Sequence, residues 1–295
     1  MRLRRVLLTF KISLFENTGA QRSDRRLMAL IRAADPMVAK VRSSHEETAR
    51  SREIVKETLA AGGLKVVQVR RLRPVSDDRY DLVVVVGGDG TVLDVARFVK
   101  SIPILAVNSS PSTSVGHFCC TTAGSLGDML KQVKEGAARA TALNRIRVAV
   151  DGKDHRYPAL NDVLLAHRVP AATSRYVIHV GNAEEEQKSS GVWIATAAGS
   201  TGGIRSAGGA EMDASDHALQ YLVREPFIQS NPVGRPYGLQ QGKVGPEGLA
   251  FTSRMIRGGM YLDGRRVAVP VEYGSRITFT PDAAPLNIFL PEWKR

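Results

Sequence analysis

Val83-Val84-Val85-Val86-Gly87-Gly88-Asp89-Gly90-Thr91 is the stretch on which the fold turns. Four consecutive valines suit a strand buried on both faces, as in the middle of a parallel sheet. Three glycines let the backbone turn sharply and approach a ligand closely. The residues from Val92 to Lys100 read as a helix, whose free amides and positive dipole end would face the turn. Strand, glycine turn and helix start together favour a phosphate, yet no Gly-Lys-Ser/Thr follows, so this is not a Walker loop. Asp89 is the odd member, because a carboxylate repels phosphate. Either it only shapes an ordinary strand-turn-helix, or it has a chemical task such as holding Mg²⁺ or accepting a hydroxyl proton.

Working outward, the first half alternates strand and helix signals. Strands are expected at Arg5 to Lys11, Leu64 to Arg70, Asp81 to Val86 and Ile104 to Asn108. Helices are expected at Val41 to Ala61, ending at Gly62-Gly63, and at Ser125 to Glu135, closed by Gly136. Such alternation builds parallel βαβ units with right-handed crossovers. Ligands of such sheets sit outside the carboxyl ends of strands, where Gly87 to Gly90 and Asn108-Ser109-Ser110-Pro111 both fall. The boundary of this α/β domain, residues 1–140, lies near Ala140.

Residues 141–281 read as β-rich and sandwich-like. Arg145 to Val150 and Arg156 to Ala166 flank the hairpin-type turn Asp151-Gly152. Tyr176 to Val180, Gly191 to Ala197, Gly259 to Leu262, Arg265 to Val271 and Arg276 to Thr280 read as short strands, with Asp263-Gly264 marking another hairpin. A helical insert is expected near Asp216 to Arg224, and a loop over Gln229 to Gly248.

Composition bounds the function. With 295 residues, 43% of them hydrophobic, there is ample material for one or two cores. No run approaches the ~18 apolar residues of a membrane-spanning helix. The start from Met1 to Phe10 briefly imitates a signal peptide, but Lys11 breaks the apolar run, so a first strand is the better reading. The only two cysteines, Cys119 and Cys120, are adjacent, which excludes a disulfide framework and fits a reducing cytoplasm. No His/Cys spacing suits zinc. A net charge of +12 favours anionic partners. With only 6% aromatic residues and no basic stretch interleaved with them, nucleic acid is not an expected partner. Nor is a membrane, as no amphipathic insertion helix stands out.

Two polar clusters interrupt apolar runs in the second half. Asn161-Asp162, inside Pro158 to Leu165, is locally unfavourable in a strand. It is either a bulge or a grip on ribose hydroxyls. Gly199-Ser200-Thr201-Gly202-Gly203, with Ser206-Ala207-Gly208-Gly209 close behind, offers amides and hydroxyls to a nucleotide, or is a flexible linker. Trp193, among apolar neighbours, reads as core.

Taken together, Gly87 to Thr91, Asn161-Asp162, Gly199-Ser200-Thr201 and Ser206 to Gly209 resemble the NAD kinase family in order and spacing. The resemblance runs roughly from Arg5 to Leu290. Ala159 to Asp162, Pro170 to Arg175, Ser189 to Gly191, Thr196 to Thr201, Val223 to Pro226 and Val115 to Cys119 look like its plant-type NADH kinase branch. The resemblance implies the NAD kinase-like fold, a Rossmann-like N-terminal parallel sheet domain and a β-rich C-terminal domain, with residues 282–295 returning to the first domain. It implies ATP-dependent phosphorylation of the 2′-hydroxyl on the adenosine ribose of NAD⁺ or NADH, with Asp89 as general base. Gly87, Gly88, Gly90 and Thr91 would lie beside the phosphates. Asn161 and Asp162 would hold the ribose, and Ser200, Thr201, Gly202 and Ser206 the adenosine end. Asn108 and His117 are further nucleotide-binding candidates. Mg²⁺ would come with ATP, no protein side chain being assigned as its ligand, and the chain would form a homodimer or higher homo-oligomer. Ser190 departs from the family's commoner pattern by losing an acid, which leaves the choice of NAD⁺ or NADH open, and Gly202-Gly203 departs from it by removing side-chain packing near adenine. A lipid kinase sharing Gly-Gly-Asp-Gly-Thr, or a dinucleotide sensor without turnover, are the alternatives.

Overall fold

The computed structural model describes residues 2–13, 15–16, 25–70, 73–75, 79–227, 237–264 and 267–291. The chain divides into two compact units, Met1–Ala142 with Asn287–Arg295, and Leu143–Leu286.

The first unit is built on parallel strands β1 (Arg5–Phe10), β2 (Lys65–Val69), β3 (Leu82–Gly87) and β4 (Ile104–Asn108), with a short β5 (Thr121–Thr122) beside β4. Their order is β4-β3-β1-β2. All six residues of β3 are buried. Successive side chains point to opposite faces, so both faces of this central strand are covered. Val84 and Val86 join a core with Val55 and Leu59 of helix α2 (Ala39–Ala61) and with Leu126, Met129, Leu130 and Val133 of helix α4 (Leu126–Glu135). Helix α1 (Arg25–Arg32), which the sequence did not reveal, precedes α2. Helix α4 ends where Gly136 takes the left-handed conformation at φ 79°. Helix α3 spans Asp89–Ala96, three residues earlier at its start than expected. Asp89 therefore belongs to the first helical turn, not to the turn before it.

The second unit packs two sheets around one core. One carries β6 (Thr141–Val150), β7 (Lys153–Asp154), β9 (Ser174–Val180), β10 (Ala183–Ser189), β14 (Leu249–Ser253) and β17 (Arg276–Phe289). The other, antiparallel throughout, runs β13-β12-β11-β8-β15-β16. Its strands are β8 (Asp162–His167), β11 (Val192–Ala195), β12 (Leu219–Val223), β13 (Gln241–Val244), β15 (Gly258–Leu262) and β16 (Val267–Val271). Ile146, Tyr176, Phe251 and Phe279 of the first sheet and Val163, Ile194, Tyr221 and Met260 of the second share one hydrophobic cluster, which makes the unit a sandwich. Both expected hairpin turns have two residues at positive φ, Asp151 and Gly152 (51° and 76°) and Asp263 and Gly264 (49° and 85°).

Several expectations are corrected. Asp216 to Arg224 holds no helix. Leu219-Gln220-Tyr221-Leu222-Val223 is a fully buried inner strand. A short apolar run fits a buried strand as well as a helix, and pairing to β11 and β13 decides it. The expected strand from Arg156 to Ala166 is broken: Lys153–Asp154 pairs with β6, Ala159 makes one isolated bridge to Ile146, and β8 begins only at Asp162. Within the expected loop from Gln229 to Gly248, Gln241–Val244 is a strand, while residues 228–236 lie outside the described residues. Arg265 and Arg266 also lie outside them. The last strand runs nine residues further than Thr280, to Phe289, and its residues Ile288 and Phe289 pair in parallel with Ile104 and Leu105 of β4.

Candidate active site

In the first unit, the turn after β3 is sculpted by what its glycines leave out. A Cβ on Gly87 would lie 2.4 Å from Thr91 Oγ1, so the threonine occupies the place of a side chain there. A Cβ on Gly88 would meet Ser114 Oγ at 2.7 Å. Asp89 opens α3, where the helix dipole favours a carboxylate. Its Oδ1 accepts a hydrogen bond from the Phe118 backbone N–H at 2.8 Å. The acid is thus held in place by the loop that follows β4.

That loop is itself tied down on two sides. Asn108 Nδ2 donates to the carbonyls of Ser114 (2.9 Å) and Val115 (3.4 Å), and its Oδ1 accepts from Ser110 N–H (3.1 Å). Gly116, at φ 68°, closes over it, since a Cβ would lie 2.6 Å from Asn108 Nδ2. The Asn108 amide is therefore engaged by the loop itself. From α2, Ser51 Oγ donates to Ser109 O at 3.0 Å, and Glu47 Oε2 accepts from Ser110 Oγ (2.5 Å) and Ser112 Oγ (2.6 Å). The Ser110 and Ser112 hydroxyls draw the Glu47 carboxyl below its ordinary range. His117 stands one residue before the amide that holds Asp89, half-buried in the same loop. Cys119 lies beneath the turn, its thiol 3.7 Å from Gly87 O. Burial, then the charge of Asp89, pushes that thiol far above its usual range, which disfavours its thiolate form.

The strand order reverses between β1 and β3, the place where such sheets leave a crevice. At the β1 side, Ser13 Oγ and His45 Nδ1 are 2.8 Å apart, Phe15 stacks on His45 at 4.6 Å, and Arg52 pairs with Glu16 at 3.2 Å over the Phe10 ring. No motif marks this cluster, since its members are scattered along the chain and match no spacing.

In the second unit, Asn161 and Asp162 sit where the chain enters β8. The Asn161 carbonyl accepts from Thr196 N–H at 2.9 Å, and a Cβ on Gly199 would fall 2.0 Å from that same oxygen. Thr196 Oγ1 donates to Leu160 O at 2.6 Å and accepts from Gly199 N–H at 3.1 Å. The Asn161 Oδ1 atom is buried without a hydrogen-bond partner among the described residues. Asp162 is 6% exposed and accepts a hydrogen bond from the Gly203 amide. Burial first, then the negative charge of Asp263, pushes its carboxyl up to about 7. Asp263 accepts from Leu160 N–H at 3.0 Å and Asn161 N–H at 2.7 Å, a role its sequence reading as a hairpin residue did not disclose.

The small-residue loop is brought to the same corner. A Cβ on Gly202 would lie 3.5 Å from Asp162 Oδ2. Ser200 is fully buried, donating to Ala197 O (2.7 Å) and accepting from Met212 N–H (3.0 Å), so its hydroxyl serves the loop. Thr201 is half-buried. Ser206 is exposed at the end of helix α5 (Gly203–Ser206). Gly203 is explained by Trp193, whose indole lies 3.2 Å from where its Cβ would be. Among the described residues, no group of three or more His, Cys, Asp or Glu side chains could cage a metal ion.

A parallel-sheet unit with a glycine-acid turn, joined to a β-sandwich with an Asn-Asp corner, defines a nucleotide-handling α/β-plus-β protein. Its fold is similar to that in the crystal structure of an NAD kinase from Archaeoglobus fulgidus in complex with ATP. The TM-score is 0.69 at 19% identity, over 98% of this chain and 95% of that one. Yeast NADH kinase complexed with NADH gives a TM-score of 0.67 at 15% identity, over 98% and 83%. Residues 16–136 match the family model described as the ATP-NAD kinase N-terminal domain. A probable NADH kinase of Oryza sativa subsp. japonica is 33% identical over 273 residues, 84% of this chain and 82% of the relative. The NADH kinase of Arabidopsis thaliana is 33% identical over 241 residues, 74% of each, and the NAD kinase of Methanospirillum hungatei 31% over 207 residues. The chain belongs to the NAD kinase family.

Proposed function

We propose that this protein is an ATP-dependent NAD(H) kinase. It transfers a phosphoryl group from ATP to the 2′-hydroxyl of the adenosine ribose of NAD⁺ or NADH, making NADP(H). The observation that carries the reading is the likeness to plant NADH kinases over most of both chains, with Asp89 standing in the glycine turn.

In this reading Asp89 accepts the hydroxyl proton. A ribose hydroxyl is a weak acid and a carboxylate a weak base, so the proton leaves late, in a loose transition state. Position matters more than basicity, and the Phe118 amide supplies position by fixing Oδ1. With Oδ1 engaged by that amide, Oδ2 is the oxygen for the proton. Gly87, Gly88, Gly90 and Thr91 line the phosphates, with the first amides of α3 adding positive potential. Asn161 and Asp162 hold ribose. Thr201, Gly202 and Ser206 bound the adenosine, while Asn108 and Ser200 act by holding their loops. Mg²⁺ would come with ATP, carried on the triphosphate, since such ions usually keep substrate phosphates as ligands. The ion supplies charge neutralisation on the phosphates when bound.

No described helix is long and apolar enough to cross a membrane. The two free cysteines fit a reducing cytoplasm, and a homo-oligomer is the expected assembly, checked by light scattering on the eluting protein. Purified protein with ATP and Mg²⁺ is offered NAD⁺, NADH or a diacylglycerol. NADP(H) formation sustains the proposal. Phosphorylated lipid would make it a lipid kinase instead, and tight dinucleotide binding without turnover a sensor. The ratio of the NAD⁺ and NADH rates fixes the preference, with NADH favoured by the plant-type motifs.

A further inference from the structure

Three consecutive backbone amides at the mouth of β8 converge on one side chain. Leu160 N–H reaches both oxygens of Asp263 at 3.0 Å, Asn161 N–H reaches Oδ1 at 2.7 Å, and Asp162 N–H reaches Oδ1 at 3.4 Å. The contact is reciprocal, since Asp263 N–H donates to Asp162 O at 2.9 Å. Asp263 does this from the tip of the β15–β16 hairpin, at φ 49°, a left-handed conformation that glycine takes more cheaply. A hairpin turn needs no carboxylate, and the strand ladder of β8 begins only at Asp162, so these amides would otherwise lack the ladder partners a buried backbone requires.

We infer that Asp263 is a positioning residue for dinucleotide binding, its carboxylate fixing the Leu160-Asn161-Asp162 backbone so that the Asn161 and Asp162 side chains are presented ready-made. The inference rests on the function proposed above. Asn161 is clamped at both ends of its peptide units, by Asp263 at its N–H and by Thr196 at its carbonyl. Its buried Oδ1, without a partner among the described residues, is an acceptor waiting for a ligand donor such as a ribose hydroxyl.

Asp263 also governs its neighbour electrostatically. Around Asp162, β11 brings Ala195, β15 brings Leu262 beside the next residue, and α5 brings the Gly203 amide. Asp263 is the charged group that acts on it, and together with burial it holds the Asp162 carboxyl at about 7. Near neutral pH, Asp162 can therefore donate a hydrogen bond as well as accept one, and the corner's affinity becomes pH-dependent.

The test measures NADH binding, through the fluorescence of NADH itself, to wild type, Asp263→Ala and Asp263→Asn from about pH 5.5 to 8.5. Asp263→Ala is expected to weaken binding by roughly 10- to 100-fold, the loss that follows when a charged hydrogen-bonding partner is removed. Asp263→Asn keeps an acceptor oxygen but no charge. It is expected to retain most of the affinity and to move the midpoint of the pH dependence down from near 7. The Asp162 carboxyl ¹³C resonance, assigned by its loss in Asp162→Asn, should shift its titration midpoint the same way in the ligand-free protein. If Asp263→Ala cannot be recovered folded, Asp263→Asn carries the test alone. Wild-type binding with an unmoved midpoint in Asp263→Asn, or with undiminished affinity in Asp263→Ala, overturns the inference alone. A wild type that binds neither NADH nor NAD⁺ overturns the functional reading together with it.

Discussion

Asp89 and Asp162 are carboxylates set to different tasks by their surroundings. Asp89 stands half-exposed at a helix start with one oxygen on a backbone amide. Asp89→Asn keeps that hydrogen bond but cannot take a proton. Turnover should fall by about 10²–10⁴-fold while dinucleotide binding changes little, measured by steady-state rates beside NADH fluorescence titration. Asp162 is buried beside another acid, its carboxyl raised to about 7. A raised carboxyl holds its proton in the folded state when the unfolded chain has lost it. Its stabilising contribution is complete below about pH 4 and is lost as pH rises through about 7. Asp162→Asn removes that ionisation cost. The ligand-free variant should be more stable than wild type at about pH 8, by up to about 4 kcal/mol, with the gap closing toward pH 4 in denaturant melts.

At the level of elements, glycine does specific steric work. At Gly199 an added methyl would meet the Asn161 carbonyl at 2.0 Å, and backbone cannot yield as a flexible side chain can. Gly199→Ala should cost roughly 1–3 kcal/mol in denaturant melts and weaken dinucleotide binding, because the corner itself must shift. The motif residues were legible in the sequence for the same reason, since glycines, Asn-Asp and hydroxyls are conspicuous where apolar residues are expected. Strand β3 was legible because four valines admit few other readings. Other parts carried no such mark. Strand β10, Ala183 to Ser189, holds three glutamates and a lysine, which suits the edge of a sheet but reads as loop. The start of α3 was displaced because Asp-Gly-Thr reads as turn chemistry. Asp263, Thr196 and the Phe118 amide were missed because they act on backbone or through it, with partners remote in sequence.

Over the whole molecule, charge and connectivity set the behaviour. The formal net charge of +12 meets substrates that are all anions. Their encounter should be electrostatically steered, so kcat/KM should fall several-fold between about 50 and 300 mM salt while kcat changes little. An unchanged kcat/KM would show that the surplus charge lies away from the route of entry. The division into an α/β half and a β-rich half was visible in how periodicity changes along the chain. The return of the chain was expected from the family resemblance alone, because by its residues Leu286 to Leu290 resembles any short apolar strand.

That return has a consequence for how the protein is made. Ile104 and Leu105 find their outer partners in Ile288 and Phe289, which follow the entire second unit in chain order. The ribosome therefore releases β1 to β4 long before the residues that complete their sheet. Until then the outer flank of Ile104 and Leu105 is an open strand edge, of the kind that invites pairing with other chains. The long loop that must close makes this a slow contact to form. The first unit is therefore completed only by a strand made after the whole second unit, and a chain cut short before Asn287 would leave an aggregation-prone edge rather than a smaller working domain.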